Sequence, residues 1–430
     1  MKNLLFIAYY FPPMGSSGVQ RPFKLIKYLP ERGWHPIVLV PEPGMYHQFD
    51  ASLQEEAEDM ALTIYRVKGK TPFHVLGGGQ KHVPTLPNPL AKVLRYLSAW
   101  SYLPDNKRGW IKPAMELVPE IISQHKPELI VATSPPASNL ILAAEISRQY
   151  QIPCVFDMRD DWVDDHQKIY PTRWHRKKMQ SLETQTLEQA SAVISVNEVI
   201  SQALQQRNDH LKIPFVALPS GFDPVDFEKS KASASLKPTA DTITLLYSGR
   251  LYGENQPDAF LEALVLLVKE QPELKKTLRL AFQGGLEPQH LGLISSLGLS
   301  DMIIDLGYVD HATAIANLKV ADALWLMAAH TYRGNQVSTG KIIEYMAAEK
   351  PIFALAVENG ALHELLKPYG AYLMADPFSV AKIKAQLTIF LDYLFRSIPQ
   401  KVNTEYVQTL NVRSMAERCS AIFKDVLSSR

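Results

Sequence analysis

The sequence predicts an α/β protein built of two doubly wound domains, each a parallel sheet covered by helices on both faces. Short apolar runs alternate with amphipathic segments along the whole chain, the pattern of strands joined by crossover helices. The alternation is interrupted at EKSKASASLKPTA (228–240), which is polar and without period, and it restarts at TITLLYSG (242–249). A length of 430 residues also exceeds one ordinary core and suggests two or three domains. The expected organisation is a first Rossmann-like domain over 1–227, a linker over 228–240 and a second such domain over 241–403. A helical stretch over 404–430 packs back toward the junction. The two sheets face each other across a cleft.

In the first half the strands are expected at LLFIAY (4–9), PIVLV (36–40), LTIYRV (62–67), ELIVAT (128–133), PCVFDM (153–158), AVISV (192–196) and FVAL (215–218). Helical patterns such as VQRPFKLIKYL and ASNLILAAEISRQY lie between them. The second half repeats the scheme with TITLLYSG, a helix at PDAFLEALVLLVKE, then LRLAFQG, MIIDLG, ADALWLM and PIFALA.

Bulk properties narrow the function classes. The composition is globular, 46% hydrophobic and 21% charged. A net charge of +1 argues against a dedicated nucleic-acid binder. Cys154 and Cys419 lie far apart and outside any CxxC, so neither a disulfide framework nor a zinc ribbon is expected, and a reducing cytosol fits. The opening MKNLLFIAYYFPP ends its apolar run at Pro12-Pro13 without a small-residue cleavage site, which favours a buried strand over a signal peptide. No apolar stretch is long enough to span a bilayer. The expectation is a cytoplasmic protein, at most peripheral on the inner face of the plasma membrane.

Ligands of open parallel sheets bind outside the carboxyl ends of the strands, so the loops there matter most. YYFPPMGSSGVQR follows the first strand; Gly15 and Gly18 allow close backbone approach, and the helix behind them offers free N–H groups. It is not GxGxxG, so a dinucleotide is disfavoured and a plain tight turn is the competing reading. TSPPASN (133–139) has two prolines and a helix cap at Ser138 or Asn139, and capping alone explains it. DMRDDWVDD (157–165) places Asp157, Arg159, Asp160, Asp161 and Trp162 at a strand end. Such a group suits sugar hydroxyls or acid–base work, against an acidic surface loop. No DxD occurs anywhere, so no metal–diphosphate site is expected. YSGRLYGEN (247–255) sets Gly249 and Arg250 just past a strand, where a guanidinium can take a phosphate.

STGKIIEYM (338–346) carries a Gly-Lys pair at a helix start, but Asn335 and Ile342 occupy positions where a P-loop needs Gly and Ser or Thr. Ser338 or Thr339 caps the helix, and Ile342, Ile343, Met346 and Ala347 form its apolar stripe. Lys341 and Glu344 then lie on the other face, where the plain reading is a surface ion pair. Arg250 and Lys341 sit on loops on one side of one sheet. Two cations and a helix N-terminus, beginning at Thr339 and Gly340, suit a diphosphate, and Glu344 suits a ribose diol.

The ordered series YYFPPMGSSGVQR, TSPP, FDMRDDW, LPSGFD, YSGRLY, LGYV and STGKIIEYMAAEKP, spread over nearly the whole chain, resembles family 4 glycosyltransferases. These are retaining enzymes of the GT-B fold that build bacterial polysaccharides. The resemblance implies that the C-terminal domain binds a nucleotide-sugar, UDP- or GDP-linked, as co-substrate with no further cofactor. The N-terminal domain would bind a glycan or lipid-linked acceptor. Arg250 and Lys341 would hold the diphosphate, Glu344 the ribose, and the backbone of Tyr308 and Val309 the base. Asp160 joins Arg250 and Lys341 as the catalytic set, with Asp157, Arg159 and Asp161 toward the acceptor. The chain departs from the family at Gln336, where Glu is frequent, at Ser220 for Asn, at Asp161 for Pro, and in lacking a Lys soon after Arg250. Rival readings are a GT-B-like nucleotide-sugar epimerase and a non-catalytic nucleotide-sugar-binding subunit. A nicotinamide oxidoreductase is disfavoured by the missing GxGxxG.

Residues 66–112 hold nine Lys or Arg and the single acid Asp105, interleaved with Phe73, Tyr96, Trp100, Tyr102 and Trp110. PTRWHRKK (171–178) adds a second basic, Trp-containing stretch. Either these are solvated faces or they dock anionic lipid headgroups.

Overall fold

A computed structural model describes residues 1–15, 17–44, 49–68, 88–165, 168–229, 234–251, 256–328, 334–338 and 340–429. The chain forms two compact units, Met1–Ser220 with the C-terminal segment from Val412, and Gly221–Asn411.

The first unit holds a seven-stranded sheet of β1 (Lys2–Ile7), β2 (Trp34–Pro41), β3 (Thr63–Val67), β4 (Leu129–Ser134), β5 (Cys154–Met158), β6 (Ala192–Ser195) and β7 (Phe215–Ala217). Their spatial order is β3-β2-β1-β4-β5-β6-β7, and every pairing is parallel. The second unit holds β8 (Ile243–Ser248), β9 (Leu278–Gln283), β10 (Ile303–Asp305), β11 (Ala323–Met327), β12 (Ile352–Leu355) and β13 (Tyr372–Ala375). Their order is β10-β9-β8-β11-β12-β13, again parallel throughout. Each order runs outward from its first strand in one direction and then in the other. The switch points therefore lie between β1 and β4 and between β8 and β11.

The unbroken apolar runs have a simple cause. Leu4–Ile7, Ile37–Val40 and Leu129–Ala132 are wholly buried, because helices cover both faces of the sheet. Each sheet accordingly separates two apolar clusters, one per face. Strand β13 escaped the sequence reading: its four residues, YLMA, give too short a run to stand out.

The domain boundaries differ from those expected. The chain leaves the first unit at Ser220, so residues 221–227 and the described part of 228–240 belong to the second. Leu236 is buried there, and the Ser235 and Leu236 amides both donate to Asn317 Oδ1 at 2.9 Å. The polar composition of this segment thus conceals a docked strap. The expected 404–430 stretch is two helices, Thr404–Thr409 in the second unit and Val412–Ser428 in the first, parted at Leu410 and Asn411. The latter helix buries Val412, Met415, Ala416, Cys419, Phe423 and Val426 at helical spacing. Phe423 meets Trp34 edge-on at 5.5 Å, and Trp34 Nε1 donates to Ser420 Oγ at 2.9 Å.

Candidate active site

In the second unit, β8, which pairs with β11, ends in Tyr247-Ser248, and Gly249 follows it. Gly249 has φ +118°, and its amide donates to the Gln283 carbonyl at 2.6 Å. Lys341, first turn of the helix Gly340–Ala347, lays its side chain directly along this glycine. A Cβ at position 249 would fall 2.0 Å from Lys341 Nζ. Gly284, at φ +123°, is equally constrained, since a Cβ there would meet the Gly249 backbone at 2.5 Å. Two successive strand ends therefore need glycine so that backbone and ammonium can share one small space.

The Lys341 ammonium also sits 5.1 Å from the centre of the Tyr247 ring. Burial pulls its pKa down to about 8, with Glu344 acting in the opposite sense. The competing plain reading, a surface ion pair between Lys341 and Glu344, gives way to another arrangement. Glu344 Oε1 lies 2.9 Å from His311 Nε2, and His311 Nδ1 lies 3.9 Å from Asp226 Oδ2. His311 opens the helix His311–Val320, whose N-cap Asp310 accepts from the Thr313 amide and hydroxyl. Those bonds hold the Asp310 carboxyl below its ordinary range.

Tyr345 ties the helix to the sheet. Its hydroxyl accepts from the Ser248 amide at 2.7 Å and donates to the Trp325 carbonyl at 3.3 Å. Burial pushes its pKa well up, so it stays a neutral donor. Ile342, Ile343 and Met346 are buried as the stripe predicted, but Tyr345 and Ala348 join them, and Ala347 is only half-buried.

Arg250 follows Gly249 and is 67% exposed, with Glu287 Oε1 3.7 Å from its guanidinium. Gly340 and Tyr308 are exposed and Val309 is half-buried. Tyr308 and Val309 follow Gly307, whose carbonyl accepts from the Gly284 amide at 2.7 Å. Thr339 lies outside the described residues. The structure thus gathers Gly249, Arg250, Lys341 and Glu344 at one switch point. No local motif marks His311 and Asp226, which are recruited from other segments, while Tyr247 and Tyr345 lie inside YSGRLYGEN and STGKIIEYM without a spacing that sets them apart.

In the first unit the acidic loop divides. Asp157, expected toward an acceptor, is buried in a bidentate pair with Arg21 (2.7 and 2.9 Å to Oδ1) and accepts from Thr133 Oγ1 at 3.0 Å. Arg21 also donates to the Leu218 carbonyl at 2.9 Å. Asp161, likewise expected there, is buried under Arg207 at 2.7 and 2.9 Å and accepts from the Val163 and Asp164 amides. Arg207 in turn pairs with buried Glu183 at 3.0 Å. These geometries assign both aspartates to internal ion pairs. Arg159 spends its donors on the carbonyls of Ser134 (3.2 Å), Pro135 (2.8 Å) and Gly18, pinning two loops rather than reaching outward.

Asp160 is exposed at the end of β5. With Asp105 it helps burial raise the Tyr10 pKa to about 12, against the opposing pull of Arg159. Lys107, which no motif marked, holds its ammonium 5.4 Å from the Tyr9 ring centre, and burial lowers its pKa to about 8. Gly15 is buried and Gly18 half-buried. Among the described residues no group of three or more His, Cys, Asp or Glu could hold a metal ion.

Residues 19–216 match the family description "Glycosyl transferase 4-like domain", and residues 242–392 match "Glycosyl transferases group 1". The chain belongs to the group 1 glycosyltransferases. Among curated relatives, this glycosyltransferase is 31% identical over 142 residues to D-inositol 3-phosphate glycosyltransferase of Streptomyces avermitilis, which is 32% of this chain and 30% of that one. It is 33% identical over 82 residues to the Saccharomonospora viridis protein of the same name, 19% of either chain. The matches thus span less than a third of the relatives' length. Among solved structures it superposes on sucrose-phosphate synthase from Thermosynechococcus elongatus with a TM-score of 0.66 at 16% identity, covering 100% of both chains. An Anabaena protein, HepE, solved in complex with UDP, gives 0.61 at 14% identity over 99% of this chain and 100% of that one. UDP-GlcNAc 2-epimerase from Methanocaldococcus jannaschii gives 0.54 at 11% identity over 99% of each. At these identities the likeness is one of fold: the two parallel α/β units of the GT-B architecture.

Proposed function

We propose that this glycosyltransferase moves a sugar from a nucleoside-diphosphate sugar, with retention at the anomeric carbon, to a glycan or lipid-linked acceptor of cell-surface polysaccharide synthesis. The observation that carries the reading is Lys341, a desolvated ammonium held at the switch point against Gly249 and Tyr247, one turn from Glu344. A diphosphate leaving group gathers negative charge as the glycosidic bond breaks. Lys341 and the neighbouring Arg250 supply fixed positive charge where that happens, and the helix N-terminus adds its amides. Glu344, oriented by His311, accepts the ribose hydroxyls, while the Tyr308-Val309 backbone borders the base.

The first unit takes the acceptor, and Asp160, with Tyr10 near it, borders that side. Asp157, Arg159 and Asp161 support the loops instead of touching the acceptor. UDP in complex with the Anabaena protein favours a uridine donor.

Calorimetric titration of UDP, GDP, ADP and CMP into the full chain and into Glu344→Ala tests the site. One diphosphate should bind, with loss in the variant. Binding of none would remove the donor site and the reading with it. Release of free nucleotide from a donor without acceptor, with inversion at a sugar carbon, would instead identify an epimerase.

A further inference from the structure

Among its described residues the first unit presents an apolar helix face that is largely exposed. In the helix Asn88–Ser101 the side chains of Val93, Leu94, Leu97 and Trp100 follow one another at i, i+1, i+4 and i+7. All four are exposed, Leu97 by 55%. An amphipathic helix in a soluble fold turns such a stripe inward; this one turns it to solvent. The second basic stretch of the sequence is brought alongside by aromatic contacts. Thr172 caps the helix Arg173–Leu187, and His175 in its first turn lies edge-on between Trp100 (4.9 Å) and Trp174 (5.0 Å). Trp174 itself is 62% exposed. Segments more than seventy residues apart in sequence therefore form one surface.

Neither stretch brings an acid of its own to that surface, although Arg176 is paired with Asp164 from the preceding loop. Residues 88–104 and 168–182 contain no acid. Arg95, Arg173, Lys177 and Lys178 are exposed. Lysine is depleted from the cores of protein–protein interfaces, whereas an apolar stripe with Trp and Tyr beside it and Lys and Arg around it matches an interfacial helix. Among the described residues no helix is long and apolar enough to cross a membrane, so the contact would be one of lying on the surface.

We propose that the face formed by Val93, Leu94, Leu97, Trp100 and Trp174, ringed by these cations, docks on an anionic lipid bilayer. This goes beyond the transferase reading and does not depend on the nucleotide site.

The test is flotation of the full chain with vesicles of phosphatidylcholine, alone or mixed with phosphatidylglycerol. The chain should float with the mixed vesicles at low salt, stay behind with the neutral ones, and be released as salt rises. Leu97→Glu, at an exposed position where folding is not at stake, should abolish flotation. Lys177→Gln with Lys178→Gln should weaken it roughly thirtyfold, from the usual contribution of each cation near an anionic surface. Brominated acyl chains should quench tryptophan emission, and Trp100→Phe should reduce that quenching.

The proposal is overturned if wild type does not float with the anionic vesicles, or floats equally with neutral ones. It is also overturned if Leu97→Glu floats unchanged, or if this face instead mediates self-association that Leu97→Glu abolishes. Diphosphate titration of the same preparations separates each of these outcomes from failure of the donor site.

Discussion

Lys341 is the residue whose chemistry is most exposed to measurement. Its pKa of about 8 means that the empty site loses the ammonium charge as pH rises through that value. A bound diphosphate favours the charged form. Affinity should therefore be level below pH 8 and fall above it, by at most about tenfold per pH unit because one proton is linked. Titrations of the diphosphate from pH 7 to pH 9.5 would show this, and Lys341→Ala should give a flat profile. A level wild-type profile would remove Lys341 from the phosphate site. Under saturating donor, Lys341→Ala should lower kcat about a hundred- to a thousandfold, the usual cost of losing one such donor of charge. Gly249→Ala should disable the same ammonium without touching it. The new methyl would overlap Lys341 Nζ at a φ of +118°, so nucleotide affinity should fall as far as in Lys341→Ala, with about 1–3 kcal/mol of backbone strain in urea unfolding. Glu344→Ala should weaken nucleotide binding by about 1.5–3 kcal/mol, and His311→Ala by less, since His311 acts only by orienting Glu344.

At the scale of elements, the loop after β5 combines two functions that its composition could not separate. Asp157 closes a buried pair with Arg21 on the helix Ser17–Tyr28, which also reaches the Leu218 carbonyl after β7. Removing one member leaves the other charge buried, so Asp157→Ala should destabilise the first unit by about 3–5 kcal/mol. Asp160→Ala, at an exposed carboxylate, should leave the unfolding midpoint in place and change only transfer. Equal stability of the two variants would mean the Arg21 pair is not the role of Asp157. The sequence located this loop because an apolar strand ends in a run of aspartates. It could not rank them, because the deciding partners, Arg21 and Arg207, lie 136 and 46 residues away. The helix Gly340–Ala347 teaches the same lesson. Its stripe of Ile342, Ile343 and Met346 was legible from spacing, yet the same spacing suggested a Lys341–Glu344 pair. Packing turned Lys341 toward Tyr247 and Glu344 toward His311.

For the whole molecule, the second unit is one continuous segment and the first is not. Residues 221–411 should fold alone and bind the diphosphate with nearly the affinity of the full chain, since Gly249 and Tyr247 beside Lys341, His311 beside Glu344 and Glu287 beside Arg250 all lie within them. Failure of this fragment to bind would mean that the other unit completes the site. The first unit, by contrast, needs the last helix. Phe423→Ala there should cost about 3–5 kcal/mol in denaturant unfolding, because Phe423 is fully buried against Trp34.

The class of fold and the places to look follow from the order of apolar and polar residues alone. Strands buried on both faces must be apolar throughout, so runs such as LLFIAY and ADALWLM declare themselves, and the loops after them carry the glycines, cations and carboxylates. Strand order was not legible, because parallel pairing depends on contacts between distant segments. Nor was the crossing at Ser220, because a polar strap can dock through its backbone on one buried asparagine. Which charges meet depends on packing between distant segments. Burial and a distant partner turned Asp157 and Asp161 inward, drew Lys341 onto a glycine and a tyrosine ring, and gathered two basic stretches around His175.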